Sequence, residues 1–304
     1  MQTAIARKPF EWDGFEVGEI VPPSAISITQ DMVERYMTAL DQHHPWFTGP
    51  SPFGGPIVPP TLLATYLGQR IFSNLFDAPR GTALHAKQSM QFLAPQRVGE
   101  TYTADGVISA KFEKRGKRYM GIDAEIRDSA GWPVLRGSYL RMSSFVPGVA
   151  RESRPSNETR PALPSRPGRG GPVGPDWEIG EEIAPVAKLM SAARISLYSG
   201  GGRNFHNDPE VAKSFGLSRP AGMALMSNAY VSELAFNFFG EKWLTAGTMA
   251  LTFIATTHDG DLLLTRGVVR GREPRADGEL WTLDVWVEKQ SGGKATVGTV
   301  TCLI

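Results

Sequence analysis

The chain has 304 residues, enough for two domains of about 150 residues that each bury a core. Its 32 basic residues nearly balance 31 acidic ones, and a net charge of +1 provides no field to gather nucleic acid or a membrane surface. The single cysteine, Cys302, excludes an internal disulfide and a cysteine-built metal cage, and no apolar run reaches transmembrane or signal-peptide character, so a cytoplasmic protein with no membrane or nucleic-acid partner is expected.

From the N-terminus, a short extended entry leads into an amphipathic helix ending near Tyr36. The loop SPFGGPIVPP (51–60) follows, whose prolines and glycines make a stiff, specific connection. Next, TLLATYLGQRIFSNLF places Leu63, Leu67, Ile71 and Leu75 in an i, i+4 row but has no clean polar face. That pattern predicts a long helix buried nearly all round. Segments such as RYMGIDAEIRD then predict consecutive strands. Between Val146 and Pro175 proline, arginine, glycine and serine displace all hydrophobic periodicity. This marks a solvated linker (146–175) between domains at 1–145 and 176–304. The same order then returns: a helix ending near Tyr198, the loop YSGGGRNFHND, the apolar helix MALMSNAYVSELAFNFF, and strands such as LWTLDVWVEKQ and KATVGTVTCLI.

The recurrence is a tandem duplication. Phe92 pairs with Phe253, Gly99 with Gly260, Gly106 with Gly267, Asp123 with Asp284 and Gly137 with Gly298, each 161 residues apart. Gly18 and Gly180, and Tyr36 and Tyr198, are 162 apart, and Pro60 and Pro220 are 160 apart. A buried helix followed by antiparallel strands, twice over, predicts an α+β protein whose two units pair their sheets as a dimer does.

The loop at 198–208 draws attention because Gly200, Gly201 and Gly202 allow either a close backbone approach or a sharp turn, and one histidine, His206, follows them. It is not a dinucleotide fingerprint, since no strand–turn–helix unit surrounds it. His206 is able to act as a base or simply to pack. In the first half, Asp41, His43 and His44 lie in LDQHHPWF, and an offset of 162 overlays His44 on His206. His43 and His44 also fit a plainer role as turn residues before Pro45. Tyr36 and Tyr198 suit helix-end packing, while His85 and His258 stand isolated and read as structural.

Taken together, these residues resemble the MaoC-like dehydratases, the family of the R-specific enoyl-CoA hydratases, in its duplicated form. Tyr198, Ser199, Gly200, His206 and Asp208 match the family motif Y-S-G-D-x-N-P-x-H-x-D at the right spacing. AKSFGLSRP (212–220) and YMTALDQHHPWFTGPSPFGGPIVPPTLLA (36–64) resemble the segments around it and in the N-terminal half. The resemblance implies a double hot dog, each half an antiparallel sheet wrapped around a central helix. It also implies a hydro-lyase that hydrates an enoyl-CoA or dehydrates a 3-hydroxyacyl-CoA. No cofactor is expected beyond CoA or pantetheine carried by the substrate, which is an acyl-CoA or acyl-carrier thioester. A homodimer is compatible with this plan.

The departures are specific. The motif aspartate falls on Gly201, its asparagine on Arg203 and its proline on Asn204, and the usual His-Gly before the second helix is Met223-Ala224. By the resemblance His206 is the acid–base catalyst, and Asp41 (with His43 and His44) or Asp208 is expected to replace the missing carboxylate. Backbone N–H groups at Ala221 to Ala224 would form the oxyanion hole. Substrate contacts are expected from Tyr198, Gly201, Gly202, Arg203 and Asn204. Met223 and Ala224 would add to them, and Pro59 and Pro60 would line the acyl tunnel. A catalytically degenerate acyl-CoA-binding or accessory protein is the alternative, motivated by Gly201; a thioesterase is disfavoured because the central helices lack a well-placed carboxylate.

Overall fold

The computed structural model describes residues 7–77, 83–143 and 168–304. The first half runs β1 (Ile20–Ser27), α1 (Gln30–Leu40), α2 (Pro45–Thr48), α3 (Leu62–Leu75), β2 (Ala83–Phe92), β3 (Thr101–Lys114), β4 (Lys117–Arg127) and β5 (Pro133–Ser143). The second runs β6 (Glu182–Leu189), α4 (Ala192–Tyr198), α5 (Pro209–Ser214), α6 (Ala224–Phe239), α7 (Trp243–Ala246), β7 (Gly247–Phe253), β8 (Leu262–Arg275), β9 (Gly278–Lys289) and β10 (Lys294–Leu303). All ten strands form one antiparallel sheet in the order β1-β3-β4-β5-β2-β7-β10-β9-β8-β6. The order is mirrored about its centre, where β2 and β7 pair from Lys87↔Thr252 to Gln91↔Thr248 and join the halves.

The duplication is written into individual hydrogen bonds. Gly18 N–H donates to Ile108 O at 2.8 Å, and its counterpart Gly180 N–H donates to Val269 O at 2.8 Å. Gly99 N–H reaches Ile28 O at 2.8 Å, as Gly260 N–H reaches Met190 O at 2.9 Å. These two positions carry φ of 85° and 83°, a left-handed turn that explains a glycine in both copies. Thr29 and Ser191 likewise N-cap α1 and α4, each side-chain oxygen accepting the N–H three residues on.

Each sheet half packs on its own long helix. In α6 thirteen side chains are buried, leaving only Ala224, Glu233 and Asn237 outside the set. Such a helix is held by its surroundings rather than by amphipathic contrast. In α3, Leu63, Ile71 and Leu75 are buried as expected, and the side chain of Leu67 lies outside the described residues. The halves interlock beyond the sheet. Thr65 Oγ1 and Tyr198 Oη are 2.7 Å apart, Tyr36 Oη and Thr61 Oγ1 are also 2.7 Å apart, and the two tyrosine rings lie 5.6 Å from each other. Thus Tyr198 is an interior packing residue and not part of the cavity lining. Lys188 Nζ donates to Glu233 at 2.9 Å and also to the backbone oxygen of Asp41.

Residues 146–167 of the expected linker lie outside the described residues. Its last stretch is not a free connector: Arg169 bridges to Ile183, Ala184 N–H donates to Arg169 O at 2.8 Å, and Val173 N–H donates to Phe238 O at 2.8 Å. Proline and glycine removed the periodic signal there, yet backbone bonds tie the segment to the second half. Among the described residues no helix is long and apolar enough to cross a membrane.

Candidate active site

A cavity of about 1090 Å³ is lined by both halves. On the second-half side it meets the start of α6, where Met223 is extended (φ −68°, ψ 134°) and serves as N-cap without a side-chain bond to the helix. The N–H groups of Ala224 and Leu225 therefore have no intrahelical acceptor, and both residues line the cavity. A helix N-terminus left open in this way attracts developing negative charge.

His206 faces the same space. Its Nδ1 lies 2.7 Å from Ala221 O, an acceptor only, so Nδ1 carries the proton and Nε2 keeps its lone pair. Nε2 takes no bond from the described residues and remains accessible. Burial pushes the imidazole pKa down to about 4, against a smaller opposing effect of the Ala221 carbonyl. The ring is thus a neutral base across the physiological range.

The loop that carries His206 is held by asparagines. Asn204 Oδ1 accepts the His206 N–H at 2.8 Å, and Asn204 Nδ2 donates to Gly202 O at 2.7 Å. Asn207 Nδ2 donates to the same Gly202 oxygen at 2.7 Å. Asn204 therefore orients the catalytic-motif histidine through its backbone. Across the cavity wall, His258 Nδ1 bonds Pro220 O at 2.7 Å, so two histidines grip successive carbonyls just before α6. Gln96 Nε2 bonds Pro60 O in the first half, where Pro60 is the counterpart of Pro220. Gly222 fits tightly here: a Cβ would lie 2.6 Å from Thr257 Oγ1 and 2.7 Å from Met190 Cε.

The glycine triplet resolves toward the turn rather than close approach. Gly200 and Gly201 have φ of 94° and 73°, and Gly201 N–H donates to Ser196 O at 2.8 Å, closing α4. A Cβ at any of the three would meet nothing within 4 Å, and neither Gly201 nor Gly202 lines the cavity.

Arg203, Asn204, His206, Met223 and Ala224 are brought together in the lining, whereas Asp41, His43, His44, Tyr198, Asp208, Pro59 and Pro60 are not. Asp208 is consumed locally: it N-caps α5, accepting from Glu210 and Val211 N–H at 2.9 Å each, and pairs with Arg203 at 2.5 Å. The guanidinium and these caps hold its carboxyl below the usual carboxylate range. Asp41 is the left-handed C-cap of α1 (φ 52°), 3.1 Å from Arg194 and 3.6 Å from His43, which is exposed. His44 Nδ1 accepts the Trp46 N–H at 3.2 Å and caps α2, with its ring on Trp46 and Phe236. By role it corresponds to Asp208, since both cap a helix whose next residue is proline, and not to His206. Among the described residues no carboxylate lines the cavity, so the expected replacement for the motif aspartate is absent from it.

Sequence reading missed the first-half wall: His85, Gln88, Tyr139 and Arg141. His85 and Arg141 are direct cross-strand partners, as are Gln88 and Tyr139. A register shift between His85 and Lys87 returns His85 to the face that carries Gln88. A one-residue bulge leaves no mark in an alternation pattern, which is why His85 looked isolated.

Residues 16–136 match the family model of the FAS1-like dehydratase domain region. No curated relative matches the sequence. The chain is similar to a solved MaoC-like dehydratase with a TM-score of 0.73 at 18% identity, covering 94% of this chain and 98% of that one. It is also similar to a MaoC domain dehydratase from Chloroflexus aurantiacus, with a TM-score of 0.72 at 14% identity over 99% of both chains. A Mycobacterium tuberculosis protein with a double hot-dog fold aligns with a TM-score of 0.64 at 15% identity, over 97% of each chain. At these identities the likeness concerns architecture. The chain has a double hot-dog fold, similar to those of solved MaoC-like dehydratases, and the dehydratase-region family model covers most of its first half.

Proposed function

We propose that the chain is a hydro-lyase on acyl thioesters, interconverting a 3-hydroxyacyl and a 2-enoyl thioester with His206 as the single acid–base group. The observation that carries this reading is the lock on His206: Nδ1 is committed to Ala221 O, and Nε2 is free beside the open N-terminus of α6. In the dehydration direction Nε2 takes the C2 proton, and the charge moves to the thioester oxygen, held by the Ala224 and Leu225 N–H groups. The C3–O bond then breaks, and the imidazolium returns its proton to the departing hydroxyl, releasing water. Hydration runs the same steps backwards. An imidazolium whose pKa is about 4 is a strong acid, suited to a poor leaving group, while the helix N-terminus offsets the weakness of the base. The family resemblance and the dehydratase-region match support the reaction class. CoA or an acyl carrier would enter as part of the substrate, with no separate cofactor.

A second reading, acyl-CoA binding without turnover, is favoured by one observation: no described carboxylate lines the cavity. Purified protein incubated with short, branched and aromatic enoyl-CoAs separates the two. Loss of enoyl absorbance without thiol release is the expected outcome. Binding with neither signal would establish the second reading, and thiol release would make the protein a thioesterase.

A further inference from the structure

The first-half wall of the cavity holds a cation with nothing to neutralise it. Arg141 is half-buried on β5 and lines the cavity, and burial pushes its pKa down. Among the described residues it has no ion pair, and its guanidinium carbon sits 4.2 Å from the Phe72 ring centroid and 5.6 Å from that of Tyr139. A guanidinium taken out of bulk water without a carboxylate costs several kcal/mol by general experience, so its retention needs a reason. Two further polar atoms beside it are orphaned. Tyr139 Oη and His85 Nε2 are both buried without a hydrogen-bond partner, on rings 5.7 Å apart. His85 is the cross-strand partner of Arg141 and faces the same way because of the bulge next to it. Burial, then the nearby Arg141 charge, push the His85 pKa down to about 3, which keeps the ring neutral.

A cation with no ion pair, a phenol with no hydrogen bond and a neutral imidazole share one patch of the cavity wall, a setting suited to an anion. Resting on the reading of this cavity as a thioester site, we infer that the Arg141–Tyr139–His85 patch binds a carboxylate carried by the acyl group, so that the substrates are thioesters of a dicarboxylic acid. The planar guanidinium matches a carboxylate with two parallel bonds, and the unpartnered Tyr139 phenol lies beside it. Phosphate groups of a CoA carrier have other partners available: Lys87, Arg115 and Lys117 also line the cavity, are exposed, and have no ion pair among the described residues. Arg141 differs from them in being flanked by aromatic rings and an unpartnered phenol, surroundings suited to a small, singly charged group. Cavity-lining Arg203 is already paired with Asp208 and is not a competitor for this role.

Titration calorimetry with saturated thioesters tests the inference independently of turnover. Succinyl- and glutaryl-CoA are compared with butyryl- and valeryl-CoA, and free CoA serves as the control for the phosphates. The carboxylate-bearing thioesters are expected to bind about 10- to 100-fold more tightly than their methyl-ended partners, the range of a charge-assisted hydrogen-bonded pair. Arg141→Gln should remove that preference while leaving butyryl-CoA and free CoA unchanged. Tyr139→Phe, which keeps the ring and the packing, should reduce it by a smaller factor and guards against a misfolded Arg141 variant. Equal affinity for both thioester series would overturn the inference and leave the thioester reading standing. An Arg141→Gln variant that weakens free CoA as much as succinyl-CoA would assign the arginine to the phosphates and overturn it as well. Failure of every thioester to bind would overturn both.

Discussion

At the residue scale the proposed chemistry turns on His206, a histidine kept neutral by burial. Its folded-state pKa of about 4 lies below the ordinary value of 6.5. The log of kcat/KM should therefore stay level from neutral pH down to about 5 and bend near 4, and a pH–rate profile bending near 6.5 would contradict the assignment. Stability follows the same sign. Between 6.5 and 4 the unfolded chain binds a proton at this site that the folded chain refuses, so the contribution of His206 is complete above 6.5 and lost as the pH falls toward 4. His85, pushed to about 3, adds in the same direction. Urea midpoints measured across this window should fall with pH, and His206→Gln should flatten the slope. From sequence alone His206 was legible because the spacing from Tyr198 preserves the motif. Its tautomer was not, because Ala221 lies fifteen residues away and meets it only through the fold. The carboxylate expected at Asp41 or Asp208 failed for a similar reason. The Asp41 carboxylate lies against Arg194 and His43, that of Asp208 pairs with Arg203 and caps α5, and side-chain identity does not reveal such engagement.

The element that completes the proposed site is the start of α6, which lines the same cavity as His206. Its long apolar run was readable, and so was its burial, because a sixteen-residue helix with one charged side chain has no face to offer water. What stood out less was the approach to it, where Gly222 N–H donates to Thr257 O at 2.7 Å and the His206 and His258 rings hold the two preceding carbonyls. Gly222 is not among the glycines of positive φ, and its constraint is space. Gly222→Ala should push Thr257 and Met190 aside and shift the Ala224 and Leu225 N–H groups. A shift of that kind costs about 100-fold in rate when an oxyanion donor is displaced, with a loss of stability on the order of 1–3 kcal/mol for an overpacked site. Paired measurements of kcat and of the urea midpoint check this. Gly200→Ala, at an open position with φ of 94°, should lower the midpoint through backbone strain and leave kcat nearly unchanged.

Across the whole molecule, two copies of one unit have become unequal partners on a common sheet. The duplication was legible because glycines at matching left-handed turns cannot drift, and the strands of the second half follow those of the first at the same offset. The division of labour was not legible, since a pairwise overlay sets His44 on His206. In the structure His44 is a helix cap packed against Phe236, and the first half contributes instead the wall that holds His85, Tyr139 and Arg141. On the proposed mechanism the cavity takes its base and oxyanion donors from the second copy, and its far wall comes from the first. One comparison tests this account most directly: kcat/KM for an enoyl-CoA measured on His206→Ala, His44→Ala, Asp41→Asn and Asp208→Asn beside the parent chain. His206→Ala is expected to lose at least about 100-fold, and the other three variants to change within several-fold. A comparable loss from Asp41→Asn, Asp208→Asn or His44→Ala, or full activity in His206→Ala, would contradict it.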